Sequence, residues 1–209
     1  MTPEPVVDDL QPDDLVAASE VLARAFRDNP GMCAVLGGDE TERLRMLQKL
    51  APAFVECYRR HGRAQVVRAG RRIVAVALWQ RPASHPVTWR MQWLLTVAVV
   101  RHMPLAVALR LDAIDRWMKS HHPRTEHVYL FMLGVDPEQQ GMGHGSRLLR
   151  SLQQVADERG APCYLETDTA GGVRLYQRNG YAILREETSR RLADLKLWFM
   201  QTEARTPRS

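Results

Sequence analysis

The amino-acid sequence predicts an α/β (α+β) domain, a central sheet with helices packed on it. Three observations lead there. The first half carries apolar residues at helical spacing around one short hairpin pattern. From His127 onward, short apolar runs alternate with helical patterns, as in a helix-covered sheet. The chain has 209 residues, 45% hydrophobic and 25% charged, a globular balance with enough length to bury a core. The expected organisation is a single domain over 1–201, helical over 1–125, followed by a flexible tail over 202–209.

Val6-Val7 opens a first strand, and Gln11-Pro12-Asp13-Asp14 starts a helix, with acidic residues at its positive end. Leu15, Ala18, Leu22 and Phe26 share a face up to Asn29-Pro30-Gly31, which reads as a stop. Asp39 and Glu42 form a capping box for a second helix, with Leu44, Leu47, Ala51, Phe54 and Tyr58 on one side and His61-Gly62 at its end. Runs over 64–69 and 73–79 flank Gly70-Arg71-Arg72 as a hairpin. The segment 81–86 reads as a loop and 87–100 as a helix, with its apolar stretch 91–100 as core. A further helix begins at Pro104 and ends at His121-His122-Pro123. The second half reads as strand (127–135), glycine loop, helix, strand (163–167), short helix through Tyr176, and two strands, from Gly180-Tyr181 and over 195–200.

Composition narrows the function classes. The net charge of +5 is spread over short clusters such as Arg59-Arg60 and Arg190-Arg191, which argues against nucleic acid as a partner. The three cysteines, Cys33, Cys57 and Cys163, form no C-x-x-C pair, and no His/Cys cluster offers metal ligands. Free thiols and the lack of a secretory pattern at the N-terminus suit a cytoplasmic protein. The apolar stretch 91–100 is about half the ~20 residues a membrane span needs, so no membrane is expected as a partner.

The informative segment runs Val135-Asp136-Pro137-Glu138-Gln139-Gln140-Gly141-Met142-Gly143-His144-Gly145-Ser146. A strand enters a glycine-rich loop that opens a helix. A helix start presents unsatisfied N–H groups and a partial positive charge, and glycines let an anion approach the backbone. Spacing separates the phosphate-binding loops that share this logic. A Walker A loop needs Gly-Lys-Ser/Thr, and no lysine occurs here. A G-x-G-x-x-G fingerprint begun at Gly141 and Gly143 meets Ser146 instead of its third glycine. The pattern present is Q-x-x-G-x-G at Gln140, Gly143 and Gly145, preceded by V-x-P at Val135 and Pro137.

That pattern resembles the acetyl-CoA motif of the GNAT superfamily of N-acetyltransferases. Downstream, Tyr176-Gln177-Arg178-Asn179-Gly180-Tyr181 resembles the family's Y-x-x-x-G-F segment, with Tyr181 replacing Phe. Tyr164-Leu165-Glu166-Thr167 is similar to a segment of small-molecule acetyltransferases of the puromycin N-acetyltransferase kind. The Asn often found after that strand has no counterpart in 168–172. The resemblance covers roughly 126–185 and implies a GNAT-like, mixed, mostly antiparallel twisted sheet, splayed at the cofactor site and flanked by helices. It implies acetyl-CoA as co-substrate, 126–201 as the acetyl-CoA half and 1–125 as the acceptor half. It also implies cofactor contacts from Leu133, Gly134 and Val135, from Gln140, Gly141, Met142, Gly143, His144, Gly145 and Ser146, and from Tyr176.

Catalysis centres on two residues in this reading. The resemblance makes Tyr176 the acid that protonates the departing thiolate, against the plainer reading of a packed tyrosine. Glu166 shares a strand face with Tyr164 and Asp168 and serves either as general base, direct or through water, or as substrate anchor, or else in a salt bridge or at a solvated edge. His127 and Tyr129 read as structural, His144 as pointing to solvent, and the Met and Trp residues between Trp89 and Trp117 as core. Cys163 has no activating neighbour in sequence that would make it an acyl carrier. The expected activity is direct acetyl transfer to the amine of a small molecule by a monomer or homodimer. A lysine or N-terminal protein acetyltransferase and a non-catalytic CoA-binding module are the alternatives.

Overall fold

The computed structural model describes residues 6–83 and 88–204. Its centre is a seven-stranded sheet in the order β1-β2-β3-β4-β5-β7-β6. The strands are β1 (Val7–Asp9), β2 (Arg63–Ala69), β3 (Arg72–Ala83), β4 (His127–Val135), β5 (Cys163–Thr167), β6 (Tyr181–Ser189) and β7 (Leu195–Thr202). Only β4 and β5 pair in parallel; every other neighbouring pair is antiparallel. The sheet is therefore mixed and mostly antiparallel, and the helical first half supplies three of its strands.

The helices are α1 (Leu15–Phe26), α2 (Pro30–Leu36), α3 (Glu40–His61), α4 (Trp89–His102), α5 (Leu105–Ser120), α6 (His144–Arg159) and α7 (Ala170–Arg178). Local chemistry starts them where the sequence suggests. The Asp39–Glu42 capping box begins α3, and Gly62 ends it. Thr88 caps α4 through the Met91 N–H. One signal carries two meanings. Asn29-Pro30 stops α1 but also starts α2, because the Asn29 side chain accepts from the Met32 N–H and Pro30 suits the first turn.

Each sheet face buries its own core. Ala75, Ala77, Trp79, Val128, Leu130, Cys163 and Leu165 pack with Leu148, Leu149 and Leu152 of α6. On the other face, Val66, Val76 and Leu78 meet Val21 and Leu22 of α1 and Val55 and Tyr58 of α3. A third cluster joins Tyr129, Tyr164 and Phe199 to α2, α3 and α5.

Three expectations need correction. β3 continues to Ala83, through part of the segment read as a loop; residues 84–87, which include the rest of that loop and the expected helix start, lie outside the described residues. The tail expected from 202 begins inside β7, and 205–209 also lie outside them. Helix α4 is not a core helix all round: Met91 is buried, but Trp89 is 75% and Trp93 61% exposed. Its apolar residues exceed what one packed face can cover. No helix among the described residues is long and apolar enough to cross a membrane.

Candidate active site

The site forms where β4 and β5 part. Their parallel ladder covers only Val128–Cys163, Tyr129–Tyr164 and Leu130–Leu165. Beyond it, β4 runs on through Val135 beside β3, while Glu166 and Thr167 of β5 pair with β7. A bulge marks the separation. Leu78 opposes Met132 and Trp79 opposes Leu130, which leaves Phe131 without an opposite residue on β3. The extra residue resets the alternation. Val128 and Leu130 face α6, and after the bulge Leu133 and Val135 do so again. Phe131 and Met132 both pack on the opposite face.

A cleft of about 970 Å³ fills this split. Leu133, Gly134 and Val135 form one wall, with Gln140, Gly141, Gly143, His144, Gly145 and Ser146 at one end. Glu166, Asp168 and Tyr176 line the other wall, and Phe26 to Asn29 border it from the first half. Of the expected site residues, Met142 alone lies off the lining; its side chain is exposed.

The glycine-rich end is shaped to receive an anion. Gly141 and Gly143 both adopt φ of 81°, and a Cβ at either would meet nothing within 4 Å. The α6 ladder starts with Arg147 N–H on Gly143 O at 3.1 Å, leaving the earlier amides without an intrahelical acceptor. Two ties fix the loop. The Gln140 side chain donates back to Val135 O at 3.3 Å, and Asn179 Nδ2 donates to Ser146 Oγ at 3.0 Å. Asp136 anchors its entry: 1% exposed, it accepts from Arg24 at 2.7 Å, Arg72 at 2.8 Å and the Glu138 N–H at 3.2 Å. Burial works to raise its carboxyl, but these donors hold it below the usual carboxylate range. A pyrophosphate-bearing ligand fits such a cradle.

His144 departs from expectation: it is buried, both ring nitrogens lack a hydrogen-bond partner, and desolvation, with Arg147 nearby, lowers its pKa. Tyr176 is buried and in edge contact with Tyr181; burial, reinforced by the Asp168 charge, raises its phenol, so it is protonated at neutral pH. Cys163 is fully buried and its thiol is pushed up to about 12 by burial, unsuitable for a nucleophile at neutral pH.

Glu166 lines the cleft with its side chain only 5% exposed. His122 Nε2 lies 3.1 Å from its Oε1. Burial and the Glu166 carboxylate push the Tyr129 and Tyr164 phenols well up, so both are neutral. Asp168 is committed elsewhere: it accepts from Asn29 Nδ2 and from the Gly31 N–H, both at 2.6 Å, tying β5 to α2.

Residues 97–181 match the model of the acetyltransferase (GNAT) family. That segment is similar to a GNAT acetyltransferase domain. A domain of this kind is an acyl-transfer enzyme, generally dependent on acetyl-CoA. Solved structures share the fold. The histone acetyltransferase HPA2 and related acetyltransferase of Corynebacterium glutamicum ATCC 13032 has 23% identity and a TM-score of 0.69, covering 98% of this chain and 99% of that one. An N-acetyltransferase of Staphylococcus aureus Mu50 has 12% identity and a TM-score of 0.62, covering 94% and 100%. The Drosophila melanogaster polyamine N acetyltransferase has 15% identity and a TM-score of 0.57, covering 96% and 100%.

Several residues in or beside the cleft carry no sequence signal of a role there. Asn29 and Asp168 meet across 139 positions. Phe131 enters only through the bulge. His122 sits in a helix-breaking His-His-Pro segment that reads as a loop.

Proposed function

We propose that this protein transfers an acetyl group from acetyl-CoA directly to the amine of a small molecule, within one ternary complex. The observation that carries the reading is the continuous cleft from the glycine cradle, through the β4–β5 split, to a buried carboxylate. When bound, acetyl-CoA supplies the activated acyl group.

In this proposal the amides at the start of α6 hold the phosphates, and the β4 segment Leu133 to Val135 offers its backbone to the pantetheine. Glu166 takes a proton from the acceptor ammonium, because an alkyl amine of pKa near 10 must be neutral to attack. Tyr176, protonated at neutral pH, donates to the leaving sulfur. Phe26, Phe131 and Met132 suit an apolar body behind the amine. That bounded end, shaped by 1–125, favours a small molecule over a polypeptide, in a puromycin N-acetyltransferase-like manner. Its free thiols suit the cytoplasm.

The test is thiol release from acetyl-CoA over a panel of small amines, aminonucleosides and peptides. Turnover confined to small amines is expected. Preference for peptides would overturn the acceptor class, and binding of acetyl-CoA without turnover of any amine would favour a CoA-binding module.

A further inference from the structure

Resting on the acetyl-transfer reading, we propose that His122 is a positioning residue that relays the acceptor's proton from Glu166 to solvent. The geometry has three parts. Glu166 is almost wholly buried, and its Oε1 has no well-aligned hydrogen-bond donor. His122 Nε2 is 3.1 Å from that atom. The His122 side chain is 15% exposed against 5% for Glu166, so the imidazole is the more solvent-accessible member of the pair.

A buried carboxylate that collects protons must discharge them before each new cycle. The surroundings leave His122 as the outlet. Tyr164 from β5 and Tyr129 from β4 pack on its ring, with centroids 5.1 and 4.5 Å away; both phenols also interact with Glu166, but burial keeps them neutral, so neither takes up its proton. His127 from β4 lies 5.8 Å away; burial lowers its pKa, and its Nδ1 faces Thr125 O at 2.8 Å. Tyr58 from α3 is buried, with its phenol also pushed up. His121, the next residue in the chain, turns to Glu187 at 3.7 Å.

The protons balance. As the ammonium becomes an amide it loses two. Tyr176 supplies one proton to the sulfur as the C–N bond forms and the C–S bond breaks, and is reprotonated by one of those two. The other passes from Glu166 Oε1 to His122 Nε2, the Nδ1 proton leaves to water, and exchange of protons with water returns the ring to its Nδ1–H tautomer, so that Nε2 is free to accept again. His122 does not line the cleft and touches no substrate; it acts through Glu166.

Two arms test the relay. In the first, without ligand, the ¹⁵N resonance of His122 Nε2 is compared between wild type and Glu166→Gln at one pH. A displaced resonance is expected; an unchanged one overturns the pairing. The second arm uses acetyl-CoA and the small amine that wild type turns over best. His122→Ala should lower kcat by about 10², the low end for a positioned acid–base group, with KM for acetyl-CoA held. Added imidazole should restore the rate in His122→Ala but not in His122→Gln, which fills the space without titrating. A slow His122→Ala that imidazole does not rescue, or one with wild-type kcat and pH profile, overturns the relay while acetyl transfer stands. Wild-type protein that turns over no amine overturns the acetyl-transfer reading, and the relay falls with it.

Discussion

Tyr176 separates an enzyme from a binder at the scale of a single side chain. Its phenol is raised by burial and remains a proton donor through the neutral range. Tyr176→Phe removes one hydroxyl and leaves the ring packed on Tyr181. We expect kcat to fall by ~10²–10⁴ with acetyl-CoA affinity and melting temperature retained; wild-type kcat with chemistry rate-limiting would assign sulfur protonation to another group. The buried histidines make a separate prediction about stability. His127 and His144 both have pKa values lowered by burial from 6.5. Each binds a proton more weakly in the fold than in the unfolded chain, so protonation favours unfolding. Their effect is absent at high pH, appears as pH drops below 6.5, and is complete below the folded-state values. Asp168 opposes it lower down, since burial pushes its carboxyl up. Melting temperature should fall between about pH 7 and about pH 5, with a shallower slope in His127→Gln than in wild type. Equal slopes would show that His127 does not contribute.

Neighbouring glycines at the start of α6 do different work. Gly143, at φ 81° with open space where a Cβ would be, keeps the cradle clear. A Cβ on Gly145 would lie 3.3 Å from Leu175 Cδ2 and 3.4 Å from Leu133 Cδ2, so this glycine lets α6 pack close to β4 and α7. Gly143→Val should weaken CoA binding more than it weakens the fold, whose loss is the left-handed backbone strain of about 1–2 kcal/mol. Gly145→Ala should show its effect first as lost stability, about 1–3 kcal/mol of overpacking. Calorimetric titration with CoA beside melting curves separates the two, and an unchanged CoA affinity in Gly143→Val would remove the loop from the site. The contrast shows what this sequence reveals about its elements. The strand–loop–helix unit over 127–159 is legible because periodicity and glycine spacing are local. The bulge at Phe131 is not, since it exists only in register with β3. The exposed side of α4 is hidden for the same reason: helical spacing marks apolar residues but not which neighbour covers them.

Across the whole molecule, the site depends on contacts between the two halves of the chain. Arg24 of α1 holds Asp136 at the loop entrance, and Asn29 and Gly31 hold Asp168 beyond β5. Glu166 and His122 meet in the same way, which is why the sequence exposes the cradle but not the surroundings of Glu166. A ligand bound along this cleft would bridge elements from both halves and stabilise the fold as a unit. The measurement that tests the central claim most directly is therefore the melting temperature of the wild-type protein at saturating acetyl-CoA, with NAD and ATP in parallel. Acetyl-CoA at ~100 times its dissociation constant should add about 2.7 kcal/mol and give the largest rise of the three; no rise with acetyl-CoA, or a larger one with NAD or ATP, would contradict the account.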